Sequence, residues 1–163
     1  MVREARAVES SQVVDLFRAF AAAELRVWLA GGWAVDAIVG RQTRAHGDMD
    51  VAVDTRDLPR LLELLGERSF VVTTDWAPSR LELTAPDGQA VDVHPVAFAE
   101  DGTGEQAGLG GESFHYASDG FATGTIEGCV VPCLSVAQQL RFREGYELRS
   151  ADIHDLELLR KYR

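Results

Sequence analysis

The stretch from His46 to Asp54 reads His-Gly-Asp-Met-Asp-Val-Ala-Val-Asp, and it narrows the folds open to this chain more than any other. Alternation of acid and apolar residues is the period of a β-strand, whose successive side chains point to opposite faces. His46, Asp48, Asp50 and Asp54 fall on one face; Met49, Val51 and Val53 fall on the other. The apolar face needs a core to cover it. The other face sends two carboxylates, Asp48 and Asp50, into one space, where they repel unless a cation sits between them. Magnesium prefers such oxygen ligands and completes its octahedron with water and substrate phosphates. Acid-x-acid strings are also common on plain solvated surfaces, so the pair gains meaning from what surrounds it.

A second segment repeats the pattern. Arg80 to Thr84 and Gln89 to Val93 read as a hairpin around the turn-forming triplet Pro86-Asp87-Gly88. With that turn Ala85 pairs with Gln89, and counting outward sets Glu82 opposite Asp92 and Arg80 opposite His94. Leu81, Leu83, Val91 and Val93 then share the core face. Like charges directly opposite each other destabilise a sheet. A metal, a shared proton or a cationic ligand would relieve the conflict between Glu82 and Asp92.

Elsewhere Val13, Val14, Leu16, Phe17, Phe20 and Ala21 recur at helical spacing, with Ser10 or Ser11 as N-cap. Val27 to Ala30 reads as a buried strand. Gly31-Gly32 ends it, and Trp33 to Val39 forms a short helix closed by Gly40. Asp57 caps a helix carrying Leu61, Leu62, Leu64 and Leu65. Phe70 to Thr74 reads as a strand and Glu100 to Gly111, rich in glycine and acid, as a surface loop. Ser135 caps a helix through Arg141, and Ser150 a last one to Tyr162. The fold class is α+β, a small mixed β-sheet flanked by helices.

Gly31-Gly32 lies between a strand and a helix, where backbone N–H groups approach phosphates and the helix N-terminus adds positive potential. Neither the P-loop lysine nor the three-glycine dinucleotide fingerprint is present. Arg41 and Arg44, just ahead of the carboxylate strand, are within reach of a triphosphate.

Composition removes several classes. A length of 163 residues suits one domain, and 46% hydrophobic with 26% charged residues suits a globular one. A net charge of −10 argues against broad nucleic-acid binding and suits a cationic small substrate. No apolar run approaches the roughly 20 residues of a bilayer span, and the charged start, Met1 to Arg6, is no signal peptide. A cytoplasmic protein without membrane partners is expected. Cys129 and Cys133 alone make no zinc site and read as reduced bystanders.

These residues carry a family resemblance. Gly31-Gly32-Trp33, then Thr43-Arg44, His46, Asp48 and Asp50, resemble the antibiotic nucleotidyltransferases of the DNA polymerase beta superfamily, in particular the short lincosamide nucleotidyltransferases. The likeness continues through Trp76 to Leu83, Val91 to Pro95, Val131 to Cys133, Gly145 to Leu148 and His154 to Leu156. It covers nearly the whole chain and implies a single nucleotidyltransferase domain over residues 1–163, with a polymerase-beta-like fold. It further implies that Asp48 and Asp50 bind magnesium, that Asp92 is a third ligand or the general base, and that Gly31, Gly32 and Trp33 cradle the nucleotide. Family members adenylylate an antibiotic hydroxyl, and several are homodimers. The segment from Gly31 to Asp50 is shared with aminoglycoside enzymes and does not choose between drugs.

The expected reaction moves a nucleoside monophosphate, AMP first, from ATP or another NTP to a hydroxylated, cationic small molecule, with one or two magnesium ions. A lincosamide is the first expectation for the acceptor and an aminoglycoside the second. Asp48, Asp50 and Asp92 carry the chemistry, with Glu82 as rival base to Asp92. Arg44 serves the nucleotide; Glu82, Arg80 and His94 serve the acceptor. A small metal-dependent glycosyltransferase and a non-catalytic nucleotide-binding antitoxin are the alternatives.

Overall fold

A computed structural model of the chain describes residues 7–144 and 147–163. The charged start, Met1 to Arg6, and Gly145-Tyr146 of one family-like segment lie outside the described residues. The carboxylate strand is β2 (Met49–Asp54), and its neighbours explain its burial. On one side it pairs antiparallel with β1 (Val27–Ala30), on the other parallel with β5 (Ala90–Phe98). Outside β5 lie β4 (Arg80–Thr84) and β3 (Val71–Trp76), both antiparallel additions. Beyond β1 come β9 (Cys129–Leu134), parallel to it, and β8 (Phe121–Ile126), antiparallel to β9. The expected mixed sheet is therefore present, in the order β3-β4-β5-β2-β1-β9-β8. The register of the β4–β5 hairpin is the one its turn dictates: Leu81 faces Val93, Glu82 faces Asp92 and Leu83 faces Val91.

One sheet face carries the main core. Met49, Val51 and Val53 of β2 pack there with Phe17 and Phe20 of α1 (Ser10–Ala22), Trp33 of α2 (Gly31–Val39), and Leu61 and Leu65 of α3 (Leu58–Glu67). Each fully buried side chain of this kind is worth roughly 1.5–3 kcal/mol. The other face holds a smaller cluster, Ala52, Val96, Tyr116 and Leu134, with Trp28, Phe98 and Phe121 against it. Beside that cluster, on the same face, stand Asp50, Asp92 and His94.

Several boundaries differ from expectation, each for a local reason. Helix α1 is capped by Glu9, whose N–H is accepted by the Gln12 amide at 2.8 Å, while the Ser10 hydroxyl donates to Glu127. Helix α2 begins at Gly31, so the glycine pair forms its first turn. The Asp57 carboxylate accepts from the Arg26 N–H at 2.9 Å and caps no N–H of α3. Helix α4 (Val136–Phe142) has the expected Ser135 cap, but α5 (Ser150–Lys161) is capped at Arg149, whose N–H donates to Asp152. The supposed loop from Glu100 to Gly111 contains β6 (Gly104–Ala107), which pairs with the end of β5 and with β7 (Ser113–Tyr116). Among the described residues no helix is long and apolar enough to cross a membrane.

Candidate active site

The parallel pairing of β2 with β5 sets Asp50 beside Asp92, and the antiparallel pairing of β4 sets Glu82 on the far side of Asp92. Three acids thus stand in a row across three strands. His94 and Arg80 hold the row together. His94 Nε2 lies 3.2 Å from Asp50 Oδ1 and 3.7 Å from Asp92 Oδ2, and Arg80 Nη1 donates to Asp92 Oδ2 at 2.7 Å. The Gln106 amide nitrogen donates to the Ser79 carbonyl at 3.1 Å and contacts His94 Nδ1 at 3.0 Å. A carbonyl can only accept, so the same NH₂ group faces Nδ1. The neutral imidazole then carries its proton on Nε2, toward Asp50. Asp92 Oδ1 is buried with no partner among the described residues.

Crowding of like charge shifts these groups. Burial and repulsion from Asp50, Asp92 and Glu82 push the Asp48 carboxyl up to about 6, with His94 opposing. Asp48 is an exposed residue just ahead of β2, so repulsion is the cause its position supports best. Burial likewise raises Asp92; Asp50 adds to this, and His94 and Arg80 oppose it. Burial lowers the His94 imidazole, but the hydrogen bond and charge of Asp50, with Asp92, outweigh it and the net shift is upward.

Asp48, Asp50 and Asp92 open into a cleft of about 660 Å³. Its near wall is the first turn of α2. Gly31 has φ +58°, and a Cβ there would overlap the Asp50 carboxylate; a Cβ on Gly32 would overlap Arg44 and His46. Only glycine lets this turn lie so close to the acids. The lining that continues from Gly32 is rich in guanidinium groups. Arg44 donates to both oxygens of buried Asp155 at 3.2 and 3.1 Å, Arg143 joins the same carboxylate at 3.1 Å, and Arg149 and Ser150 bring the start of α5 to the cleft. The cleft is bipolar: it brings Asp48, Asp50 and Asp92 together with Arg44, Arg143 and Arg149 and the start of α5.

A family model described as aminoglycoside-2''-adenylyltransferase matches residues 12–159. The chain belongs to the aminoglycoside-2''-adenylyltransferase family. It is 31% identical over 148 residues to a lincosamide resistance protein of Staphylococcus haemolyticus, covering 91% of this chain and 90% of that one. A 2''-aminoglycoside nucleotidyltransferase of Escherichia coli is 37% identical over 37% of this chain and 38% of its own. Among solved structures, the lincomycin-bound lincosamide antibiotic adenylyltransferase LnuA superposes with a TM-score of 0.86 at 28% identity, over 97% of this chain and 100% of that one. ANT(2")-Ia with adenylyl-2"-tobramycin gives 0.74 at 18% identity over 94% and 88%, a likeness of fold. The chain is a nucleotidyltransferase, and its fold is the mixed-sheet α+β fold of these enzymes. The glycosyltransferase and antitoxin alternatives are set aside.

Within this adenylyltransferase family fold, the residues singled out from sequence separate into groups. Asp48, Asp50, Arg80, Asp92, Arg44, Gly31 and Gly32 all line the cleft. Trp33 is 1% exposed and packs against the His46 ring at 4.4 Å; its indole lies behind the cleft wall. His46 is not on the carboxylate strand. It is 3% exposed and bonded to Asp36 at 2.5 Å. Asp54, placed by alternation on the face of Asp50, is tied to Arg56 and Arg26 at 2.8 and 2.9 Å. Of the acids between Glu100 and Glu112, Asp101 is bonded to Thr103 and Glu105 to His115, whereas Glu112 lines a smaller pocket beside Arg80 and His94. Arg143 and Arg149 escaped the sequence reading, and Asp155 entered it only within the family-like segment His154 to Leu156, with no role assigned. Their one signal was acids three apart, Asp152 and Asp155, on a helix that also carries Leu156 and Leu159 inward.

The ligand atoms of Asp50, Asp92 and His94 lie within 4.8 Å of one another. The orphaned Asp92 Oδ1 and the hard oxygen donors of Asp48 and Asp50 suit a magnesium ion, and His94, whose neutral form directs its Nε2 proton toward Asp50, suits an orienting role.

Proposed function

We propose that this enzyme transfers AMP from ATP to a hydroxyl of a small cationic antibiotic, and that magnesium serves the reaction. The observation carrying the reading is the cleft itself: Asp48, just ahead of β2, Asp50 on β2 and Asp92 on β5 share one cavity with a glycine turn and with Arg44, Arg143 and Arg149. Asp48, Asp50 and Asp92 would hold the metal, which when bound offsets the triphosphate charge and stabilises the charge that develops during transfer. Gly31 and Gly32 admit the phosphates against the start of α2, and Arg44, fixed by Asp155, stands beside Gly32 to meet them. The acceptor oxygen attacks the α-phosphorus. A new P–O bond forms, the bond to the β-phosphate oxygen breaks, and pyrophosphate leaves. The acceptor hydroxyl proton passes to Asp92, whose carboxyl is raised toward the range a proton acceptor needs. His94 and Arg80 orient the carboxylates.

A lincosamide is the first choice of acceptor, since the lincosamide resistance protein matches along 91% of this chain, and an aminoglycoside is the second. Homodimer formation and a cytoplasmic setting belong to the same reading. Incubation with ATP, magnesium and lincomycin or tobramycin tests it. A mass gain of one AMP on the small molecule, with release of pyrophosphate, is the expected result. Absence of any adduct on a panel of hydroxylated amines would overturn it.

A further inference from the structure

Two residues of the family-like segments have no task in the transfer chemistry: Thr43, beside Arg44, and His154, beside Asp155. The fold brings them together. His154 Nε2 lies 3.0 Å from Thr43 Oγ1, although 111 positions separate them. The Thr43 hydroxyl donates to Asp36 Oδ1. Asp36, on α2, is fully buried, and its second oxygen meets His46 Nε2 at 2.5 Å. The sense of these bonds is fixed. A hydroxyl has one proton, and Thr43 gives it to a carboxylate that can only accept. His154 must then be the donor, with its proton on Nε2. A single directed chain of hydrogen bonds thus runs from His154 on α5, through Thr43, to Asp36 on α2, where His46 joins it.

The far end of this chain is the cleft. His46 lines it, and a Cβ on Gly32 would overlap both His46 Nδ1 and Arg44 Nη2. His46 and Arg44 therefore flank the glycine turn. From Gly40 to Asp48 the backbone forms no helix or strand, only an isolated bridge of His46 to Val8. Irregular backbone of this kind opens more readily than helix or strand, so side-chain ties set where Arg44 and His46 stand. Two of those ties come from neighbours on α5: His154 holds Thr43, and Asp155 holds Arg44.

We infer that Thr43, Asp36 and His154 are positioning residues for the donor nucleotide, acting through His46 and Arg44 on the glycine turn. The inference rests on the transfer reading above, in which Gly31, Gly32 and Arg44 meet the triphosphate. It adds that α5 and the nucleotide stabilise one another. Coupling between sites is reciprocal, so MgATP that needs the tied loop also holds α5 in place.

Calorimetric binding of MgATP to the full chain, well below each variant's melting temperature, tests this. Thr43→Val keeps the side-chain shape and leaves the Asp36 oxygen and the His154 N–H unpaired. It is expected to raise the MgATP Kd about tenfold or more, the factor that one unsatisfied buried polar group can impose, while the KM for lincomycin stays within about twofold. Thr43→Ser returns the hydroxyl and is expected to return the Kd. His154→Leu is expected to weaken MgATP as Thr43→Val does, and His154→Gln, whose amide can donate in place of Nε2, to recover it. In hydrogen exchange, MgATP is expected to protect the α5 amides of the wild type and not those of Thr43→Val. A folded Thr43→Val with wild-type Kd, or a Thr43→Ser as weak as the valine variant, would overturn the inference and leave the transfer reading intact. If Thr43→Val does not fold, the two His154 variants decide, and equal Kd values for them overturn it. Equal rises in the MgATP Kd and the lincomycin KM would make the chain a general scaffold and overturn it as well, as would α5 amides indifferent to MgATP. A wild type that binds no MgATP would remove the transfer reading and this inference together.

Discussion

Asp92 has one oxygen bonded to Arg80 and the other buried without a partner among the described residues. That asymmetry gives Asp92 a stronger claim to the proton than Glu82, which sits directly across the strand pair. Asp92→Asn is expected to slow turnover by ~100–10,000-fold, the usual cost of losing a general base, with MgATP still bound in calorimetry. If Glu82→Gln loses that rate and Asp92→Asn does not, the roles are exchanged. Gly32→Ala tests the glycine turn. The added methyl meets Arg44 and His46, so about 1–3 kcal/mol of stability and much of the MgATP affinity should be lost together. A variant with wild-type melting temperature and nucleotide affinity would show that the close approach is dispensable.

At the level of the element, β2 ends on Asp54, which is 1% exposed and is held below the usual carboxylate range chiefly by the Arg56 side-chain hydrogen bond, against burial. A depressed folded pKa means the stabilisation is present above the unfolded value of about 4 and is lost as pH falls through the folded value. Asp54→Asn should therefore flatten the acid limb of stability against pH below about 4, as read from urea unfolding over a pH series. A parallel limb in variant and wild type would assign the acid lability elsewhere. Helix α5 has its own tie, the Asp155 carboxylate shared by Arg44 and Arg143. Breaking buried pairs of this kind costs about 3–5 kcal/mol, so Asp155→Ala should lower the melting temperature and raise the KM for ATP. An unchanged KM would mean that Arg44 does not need this anchor.

The elements that could be read from sequence are those whose signals are local. Pro86-Asp87-Gly88 sets the turn of the β4–β5 hairpin, and alternation does the rest, so Glu82 meets Asp92 as counted. Strand β6 lacks such signals, and in the β8–β9 hairpin, turned at Glu127-Gly128, breakers inside both strands mask them. Strand β6 is Gly-Glu-Gln-Ala, without a β-branched residue, and pairs because β5 offers it an edge. Strand β8 carries Gly124, where a Cβ would strike the backbone of Ala37 in α2, and β9 carries Pro132. Those residues answer to tertiary contacts, which a one-dimensional pattern does not contain. For the same reason the carboxylates of the cleft and Arg44 could be read, and Arg143 and Arg149, with the Asp155 anchor of Arg44, could not. Asp48 and Asp50 are neighbours in sequence, whereas Arg44 and Asp155 meet across 111 positions.

On the scale of the whole molecule, the net charge of −10 surrounds a site that still has Glu112 beside it once the triphosphate-facing acids are neutralised. A cationic acceptor is then drawn in by a field screened over a Debye length of roughly 8 Å at physiological salt. Its kcat/KM should fall as salt rises at fixed free magnesium. A flat dependence, equal for charged and neutral versions of one acceptor, would mean that the charge serves solubility and that shape alone selects. The shared Asp155 carboxylate has a consequence in time as well as space. Ribosomes make the acidic wall, from Gly31 through Asp92, before Arg143, Arg149 and Asp155 exist, and chains are synthesised at about 5–20 residues per second. For several seconds a growing chain holds the carboxylates with Arg44 and Arg80 but without Arg143, Arg149 and the Asp155 anchor of Arg44. The lining of the cleft is complete only once α5 has been made and Asp155 meets Arg44.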